Sequence, residues 1–149
     1  MQWGKNIPAQ STYDKPIISL DIFSTVLANI NGARKLKNPL DGVDLLPYLT
    51  HKNKKAPHDV LFWRSIGSKS YAVIDKNEKK LLILKDSTFL YDLKNEIKET
   101  TNIINKEKEL ANDLNSARTK WEKGMIAPVF LGLTQREEYN KLKGKTLKN

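Results

Sequence analysis

The chain has 149 residues, the size of one domain, and 39% of them are hydrophobic, so it is expected to fold. The absence of cysteine excludes disulfides, thiolate metal sites and cysteine nucleophiles. A net charge of +9 suggests an anionic partner, but the lysines are spread along the whole chain, which favours an ordinary solvated surface. No apolar run approaches the roughly 20 residues of a membrane span, and the N-terminus lacks the pattern of a signal peptide.

After an irregular start over residues 1–15, the first predicted helix is Ser19–Ile30. Ser19 is the expected N-cap, Asp21 lies where the helix dipole favours negative charge, and Asn31-Gly32 suits the helix end. One face is apolar at helical spacing, so the helix is expected to pack against a substantial partner. Its members are Ile22, Phe23, Val26, Leu27 and Ile30.

The region from Arg34 to Thr50 is predicted to be a loop with turn chemistry, centred on residues 39–49. Asp41-Gly42 is an ordinary turn dipeptide, so a structural role is favoured for Asp41. A short helical turn over Val43–Leu49 is expected to bury Leu45, Leu46 and Leu49. The next stretch, residues 51–57, is basic and expected to be exposed.

Four short strands are predicted next, joined by tight polar turns. The alternation of apolar and polar residues places them at Val60–Ile66, Ser70–Ile74, Leu81–Leu84 and Phe89–Leu93. An isolated antiparallel sheet of this size is marginally stable, so one face must be covered.

The predicted cover is a helix over Lys106–Lys123, with Asn105 as its N-cap. Leu110, Leu114, Ala117 and Trp121 share one face, and Gly124 ends the helix. The apolar stretch 125–133 is expected to pack back on the domain, and the basic tail 134–149 to fray. The predicted fold class is α+β: a four-stranded antiparallel sheet packed against a long C-terminal helix, with an extra amphipathic helix near the N-terminus.

Several segments occur in the order found in the sulfatases (arylsulfatases and other sulfuric-ester hydrolases). Residues 89–104 carry a tyrosine–aspartate–leucine, a polar turn and a glutamate–threonine–threonine–asparagine run. Residues 16–27 contain the serine–leucine–aspartate–isoleucine–phenylalanine run, residues 39–47 the leucine–aspartate–glycine with a following proline, and Trp63-Arg64 opens a similar strand series. Together they resemble the C-terminal part of a sulfatase.

The resemblance implies a division of the chain. Residues 1–50 would be the end of the catalytic α/β domain, 51–133 the C-terminal subdomain and 134–149 a basic tail. In the family, the first helix lies on a large central sheet that this chain does not encode, so its apolar face is expected to be only partly buried. The missing N-terminal sulfatase domain is then the implied partner. The intact enzyme would be periplasmic or secreted.

Sulfatases hydrolyse sulfate esters with a formylglycine made from cysteine or serine, in a motif with proline two residues later and arginine four residues later. No serine here has that setting, and the aspartate and asparagine motifs of the calcium site are absent. Calcium and formylglycine are therefore expected only in the missing part. No catalytic or metal-binding residue is predicted in this chain, which alone should be inactive.

His58 and Arg64 are the candidate contacts to a substrate, possible sulfated glycans included, because arginine suits bidentate binding of an oxyanion. For Arg64, a surface or interdomain ion pair is the favoured alternative. The competing function is a small basic binding module for a sulfated polysaccharide or, less expected, nucleic acid.

Overall fold

The structure, a computed structural model, describes residues 3–4, 6–30, 37–65 and 69–126. The predicted strands and the two longer predicted helices are all present, with ends that differ by up to two residues. The elements are α1 (Leu20–Ala28), α2 (Leu46–Leu49), β1 (Val60–Ser65), β2 (Ser70–Asp75), β3 (Lys79–Leu84), β4 (Ser87–Asp92) and α3 (Lys108–Lys123).

The four strands form one antiparallel sheet in the order β1-β2-β3-β4, so each strand pairs with its neighbour in sequence. The turn between β2 and β3 is fixed by Asp75, whose Oδ1 accepts hydrogen bonds from the backbone N–H groups of Asn77 and Lys79. Glu78 takes a positive φ of 67° in this turn. The predicted meander and the α+β class are confirmed.

The hydrophobic core lies between the sheet and α3. Every second residue of a strand faces the helix, and the sheet contributes the fully buried Val73, Leu81 and Leu90. From α3, Leu114 is buried in this core, and Trp121 stacks on Phe62 with ring centroids 5.1 Å apart. The predicted closing helix and its packing face are confirmed.

The predicted N-cap of α3 is wrong. The helix α3 begins two residues later than predicted, and its N-cap position is Glu107 rather than Asn105. The Glu107 carboxylate binds Lys79, which also binds Asp92, so this end of the helix is tied to the sheet instead. These contacts, the hydrogen bond to Glu107 above all, raise the pKa of Lys79.

At α1, Ser19 occupies the N-cap position but makes no capping hydrogen bond from its side chain. The first-turn N–H groups of Asp21 and Ile22 donate to the carbonyls of Ile18 and Ser19 instead. Other predicted features lie outside the described residues: the pair Asn31-Gly32, Ile66, and the segments 127–133 and 134–149.

Candidate functional site

Asp21 is fully buried and joins three separate parts of the chain. Its two carboxylate oxygens accept hydrogen bonds from the backbone N–H groups of Ile18 and Val43, each at 2.9 Å. The imidazole of His58 lies on the same carboxylate, with Nε2 2.9 Å from both oxygens. Because an ionised carboxylate only accepts hydrogen bonds, Nε2 is the protonated nitrogen of His58.

Thr25 continues this buried polar cluster one helical turn further along α1. Its hydroxyl donates to the Asp21 carbonyl at 2.6 Å and accepts from the Leu45 N–H at 2.9 Å. Gly42 lets the two segments approach this closely, since a Cβ atom at that position would lie 2.3 Å from the Leu20 carbonyl oxygen. The cluster therefore holds the turn 41–45 directly against α1.

These contacts leave α1 with its polar side towards the rest of the described chain and its apolar side outward. The residues buried in the helix are Asp21, Ser24 and Thr25. The predicted apolar face is exposed, and Phe23 has 58% of its surface accessible. The apolar residues exposed along and beside the helix are Ile17, Leu20, Ile22, Phe23, Val26 and Ile30, which we call the outer face of α1. A contiguous apolar patch of this kind indicates a binding surface.

Arg64 lies in a different environment, near the C-terminal end of α3. Its guanidinium donates from Nη2 to the Ile126 carbonyl at 3.3 Å. Beside it, Glu122 accepts hydrogen bonds from the Tyr71 hydroxyl and from Arg118, whose guanidinium also lies 4.5 Å from the centre of the Tyr71 ring. The bond from Tyr71 is the main cause that lowers the pKa of Glu122. This cluster fastens α3 to β2.

The structure does not bring the two candidate substrate contacts together. His58 precedes β1 and Arg64 is near its far end, so the two lie at opposite ends of the strand. His58 has committed Nε2 to Asp21, and only 11% of its side chain is exposed. The role of both residues in substrate binding stays a prediction.

Sequence reasoning missed the buried cluster. The helical pattern predicts Asp21 only as a favourable charge in the first turn and assigns no role to Thr25. The signal that could have revealed them is the spacing of Asp21, Ser24 and Thr25, which lie three and four residues apart and so form a polar stripe opposite the apolar one.

Within the described ranges, no group of three or more His, Asp and Glu side chains could hold a metal ion. None of the helices described is long and apolar enough to cross a membrane.

Comparison with known proteins identifies relatives along different lengths of the chain. Over 63 residues the chain is 41% identical to YdeN of Escherichia coli K12, an uncharacterized sulfatase. Its fold matches the crystal structure of Ps i-CgsB with a TM-score of 0.74 and 25% identity over 99% of the chain. Over the matched residues the chain is similar to a sulfatase.

The chain corresponds to only a fraction of each relative. It spans 11% of the length of YdeN and 34% of Ps i-CgsB. Its fold also matches that of YidJ of Bacteroides fragilis, a protein assigned to the sulfatases, with a TM-score of 0.52 and 19% identity. That match covers 69% of this chain and 24% of YidJ. No protein-family model matches the chain.

Proposed function

We propose that this chain is the C-terminal part of a sulfatase and that the outer face of α1 packs on the remainder of that enzyme. The observation that carries the proposal is the orientation of α1, whose polar residues are buried while its apolar residues face outward. A stable helix normally buries its apolar face. Most of the length of Ps i-CgsB has no counterpart in this chain, and the corresponding part of the enzyme is the proposed partner.

The division of the chain follows from this proposal. Residues 1–50, which include α1 and α2, belong with the catalytic domain, while 51–133 form the C-terminal subdomain and 134–149 its tail. The Asp21–His58 contact joins the first two units. Under this proposal, the contact fixes the angle between the catalytic domain and the unit formed by the sheet and α3. That unit then borders the substrate cleft.

The chain alone is inactive under this proposal. Hydrolysis of a sulfate ester needs a nucleophile and a cation that offsets the charge of the sulfate. The formylglycine would supply the first and calcium the second, and both belong to the part outside this chain. The residues that the structure describes offer no carboxylate cluster for calcium.

The test is release of 4-nitrophenol from 4-nitrophenyl sulfate by the pure chain with added calcium. We expect a rate equal to that of buffer. Turnover that survives repurification and is lost in His58→Ala or Arg64→Ala would contradict the proposal, because it would place a complete active site in this chain.

The substrate of the intact enzyme is proposed only as a class. Ps i-CgsB has been solved in complex with an oligosaccharide, k-i-k-neocarrahexaose, in a structure to which this chain is 23% identical. A sulfated glycan fits that precedent and the net charge of +9.

The same charge supports a second candidate, a basic module that binds a sulfated polysaccharide by itself. Retention on heparin at about 0.15 M salt, where exposed charges are screened beyond about 8 Å, separates the two. Persistent retention of the folded chain favours the binding module, whereas elution below that salt indicates surface charge alone.

A further inference from the structure

The contact between Asp21 and His58 joins a fully buried carboxylate to an imidazole that can gain a charge. Asp21 has no accessible surface, whereas 11% of the His58 side chain is exposed. The Nε2 atom of His58 lies 2.9 Å from both carboxylate oxygens, which also accept from the backbone N–H groups of Ile18 and Val43. Because His58 binds through Nε2, a second proton would add at Nδ1, on the other side of the ring.

The protonation state of His58 decides the net charge of this buried pair. With a neutral imidazole, the ionised Asp21 keeps its negative charge away from water and faces only neutral donors. With an imidazolium, the same hydrogen bond joins opposite charges and the pair has no net charge. Burial of a charge is costly unless the charge is paired, and a hydrogen bond between two charged groups is the stronger kind. The contact is therefore tighter when His58 is protonated.

The other charged groups on the segments around this pair do not supply the missing positive charge. Three of them hold other partners: Lys15 binds Glu78, Asp59 binds Lys76, and Asp44 accepts from Asn29 and Leu46. The exposed ones are Asp14, Asp41, Lys52, Lys54 and Lys55. Helix α2 carries no side chain that is charged at neutral pH. Among the described residues, His58 is the one basic side chain within ion-pair distance of Asp21.

We propose that the Asp21–His58 contact is a pH-sensitive latch, which holds α1 firmly to the segment before β1 when His58 is an imidazolium and weakly when it is neutral. A free imidazole titrates at about 6.5, so the change falls near neutral pH. Because the contact favours the protonated ring, its added stability is present at lower pH and is lost as the pH rises. The ion pair of Lys15 with Glu78 persists, so α1 loosens without detaching.

The test is the protection of the α1 amide hydrogens from exchange at pH 5.5 and pH 8.5, at a concentration where the chain sediments as a monomer. Each protection factor is corrected for the intrinsic exchange rate and expressed relative to those of β2 and β3, which removes changes common to the whole chain. We expect the relative protection of α1 to be about three- to tenfold lower at pH 8.5, the equivalent of one hydrogen bond.

His58→Gln separates the proton from the hydrogen bond. The amide can still donate to Asp21 but gains no charge, so the relative protection of α1 should be the same at both pH values. The matched control is His51→Gln, which removes the other histidine of the chain, an exposed one. This control should keep the pH dependence of the parent chain.

NMR of the nitrogen-15-labelled His58 ring provides a second measurement, which decides the matter in the parent chain even if His58→Gln does not hold α1 at either pH. We expect a proton on Nε2 at both pH values and a proton on Nδ1 at pH 5.5 alone. A ring with the same protons at both pH values would overturn the inference. Protection of α1 that is unchanged with pH in the parent, or that changes equally in His58→Gln, would overturn it as well.

The inference goes beyond the proposed function, because both partners of the latch belong to this chain. Its failure leaves that proposal standing, since activity and the coding sequence upstream of this chain test it independently.

Discussion

At the scale of single residues, the structure depends on Asp21 more than its sequence context indicates. A helix-capping pattern predicts the position of an acidic residue but not that His58, 37 residues later, will lie on its carboxylate. Contacts between residues so far apart depend on the tertiary fold. The apolar spacing was sufficient to predict α1, whereas the polar contacts that hold it were not predictable from local pattern.

Replacing Asp21 with Asn should release α1 from the rest of the chain. The side-chain NH₂ of Asn is a donor, and it would face the backbone N–H groups and the His58 imidazole that donate to the carboxylate. Each buried group left without a partner costs about 1–3 kcal/mol. We expect amide hydrogens of α1 to lose protection from exchange while those of the sheet keep it. Asp59→Asn, which changes a mostly exposed carboxylate, is the control and should alter neither. Unchanged protection of α1 would show that Asp21 does not hold it.

Gly42→Ala should be destabilising for steric reasons. The added methyl group would lie 2.3 Å from the Leu20 carbonyl oxygen, and relief requires the backbone to move. Overpacking of this kind costs about 1–3 kcal/mol, measured as a loss in the free energy of unfolding in urea. At Gly124 a Cβ would meet its nearest atom at 3.5 Å, so Gly124→Ala is the matched control. Equal stability of the two variants would contradict the close approach.

At the scale of the elements, the meander and α3 were predictable because their patterns are regular. Alternation in the strands and the spacing of Leu110, Leu114 and Trp121 are properties of short sequence windows. The start of α3 was not predictable, because it coincides with the ion pair between Glu107 and Lys79, 28 residues apart in sequence.

Leu114→Ala should lower the free energy of unfolding by about 2–5 kcal/mol, since it opens a cavity in the core beneath α3. Trp121→Ala should cost less than a fully buried tryptophan would, because Trp121 is half-buried, but it removes the stack on Phe62. Both should lower the thermal midpoint. The exposed Lys120→Ala is the control on the same helix and should leave it unchanged. An unchanged midpoint for Trp121→Ala would mean that the helix register is wrong.

Acid should loosen the attachment of α3 through Glu122. Its pKa is lowered in the folded chain, chiefly by the hydrogen bond from Tyr71, below the usual value of 4.5. The stability that Glu122 contributes is therefore present above pH 4.5 and is lost as the pH falls through the folded-state pKa. We expect the urea midpoint to fall less between pH 7 and pH 3 in Glu122→Gln than in the parent chain.

The matched control is Glu109→Gln, which removes an exposed carboxylate near the other end of α3. If the curves for Glu122→Gln and the parent run parallel, Glu122 makes no pH-dependent contribution.

At the scale of the whole molecule, the outer face of α1 is the main feature that the chain itself leaves unexplained. The sequence resemblance predicted that this face would be only partly buried, and the exposure of Ile22, Phe23 and Val26 confirms it. The candidate site was less predictable. The two predicted substrate contacts are His58, which precedes β1, and Arg64, which belongs to it. Proximity along a strand does not determine whether two side chains converge.

A chain with this exposed face should self-associate as its concentration rises. Phe23→Asp places a charge in the middle of the patch and should shift the species in sedimentation velocity towards the monomer. Ile97→Asp is the control, since Ile97 is 80% exposed in a loop separate from α1. A parent chain that remains monomeric at high concentration would count against a missing partner.

The central claim, that the chain is one part of a sulfatase, is tested most directly by sequencing the DNA upstream of the codon for Met1. We expect a cysteine or serine followed by proline two residues later and arginine four residues later, in frame or across one frameshift. Aspartates of a calcium site should accompany that motif. The absence of both from every reading frame, over the length of a sulfatase gene, would contradict the account.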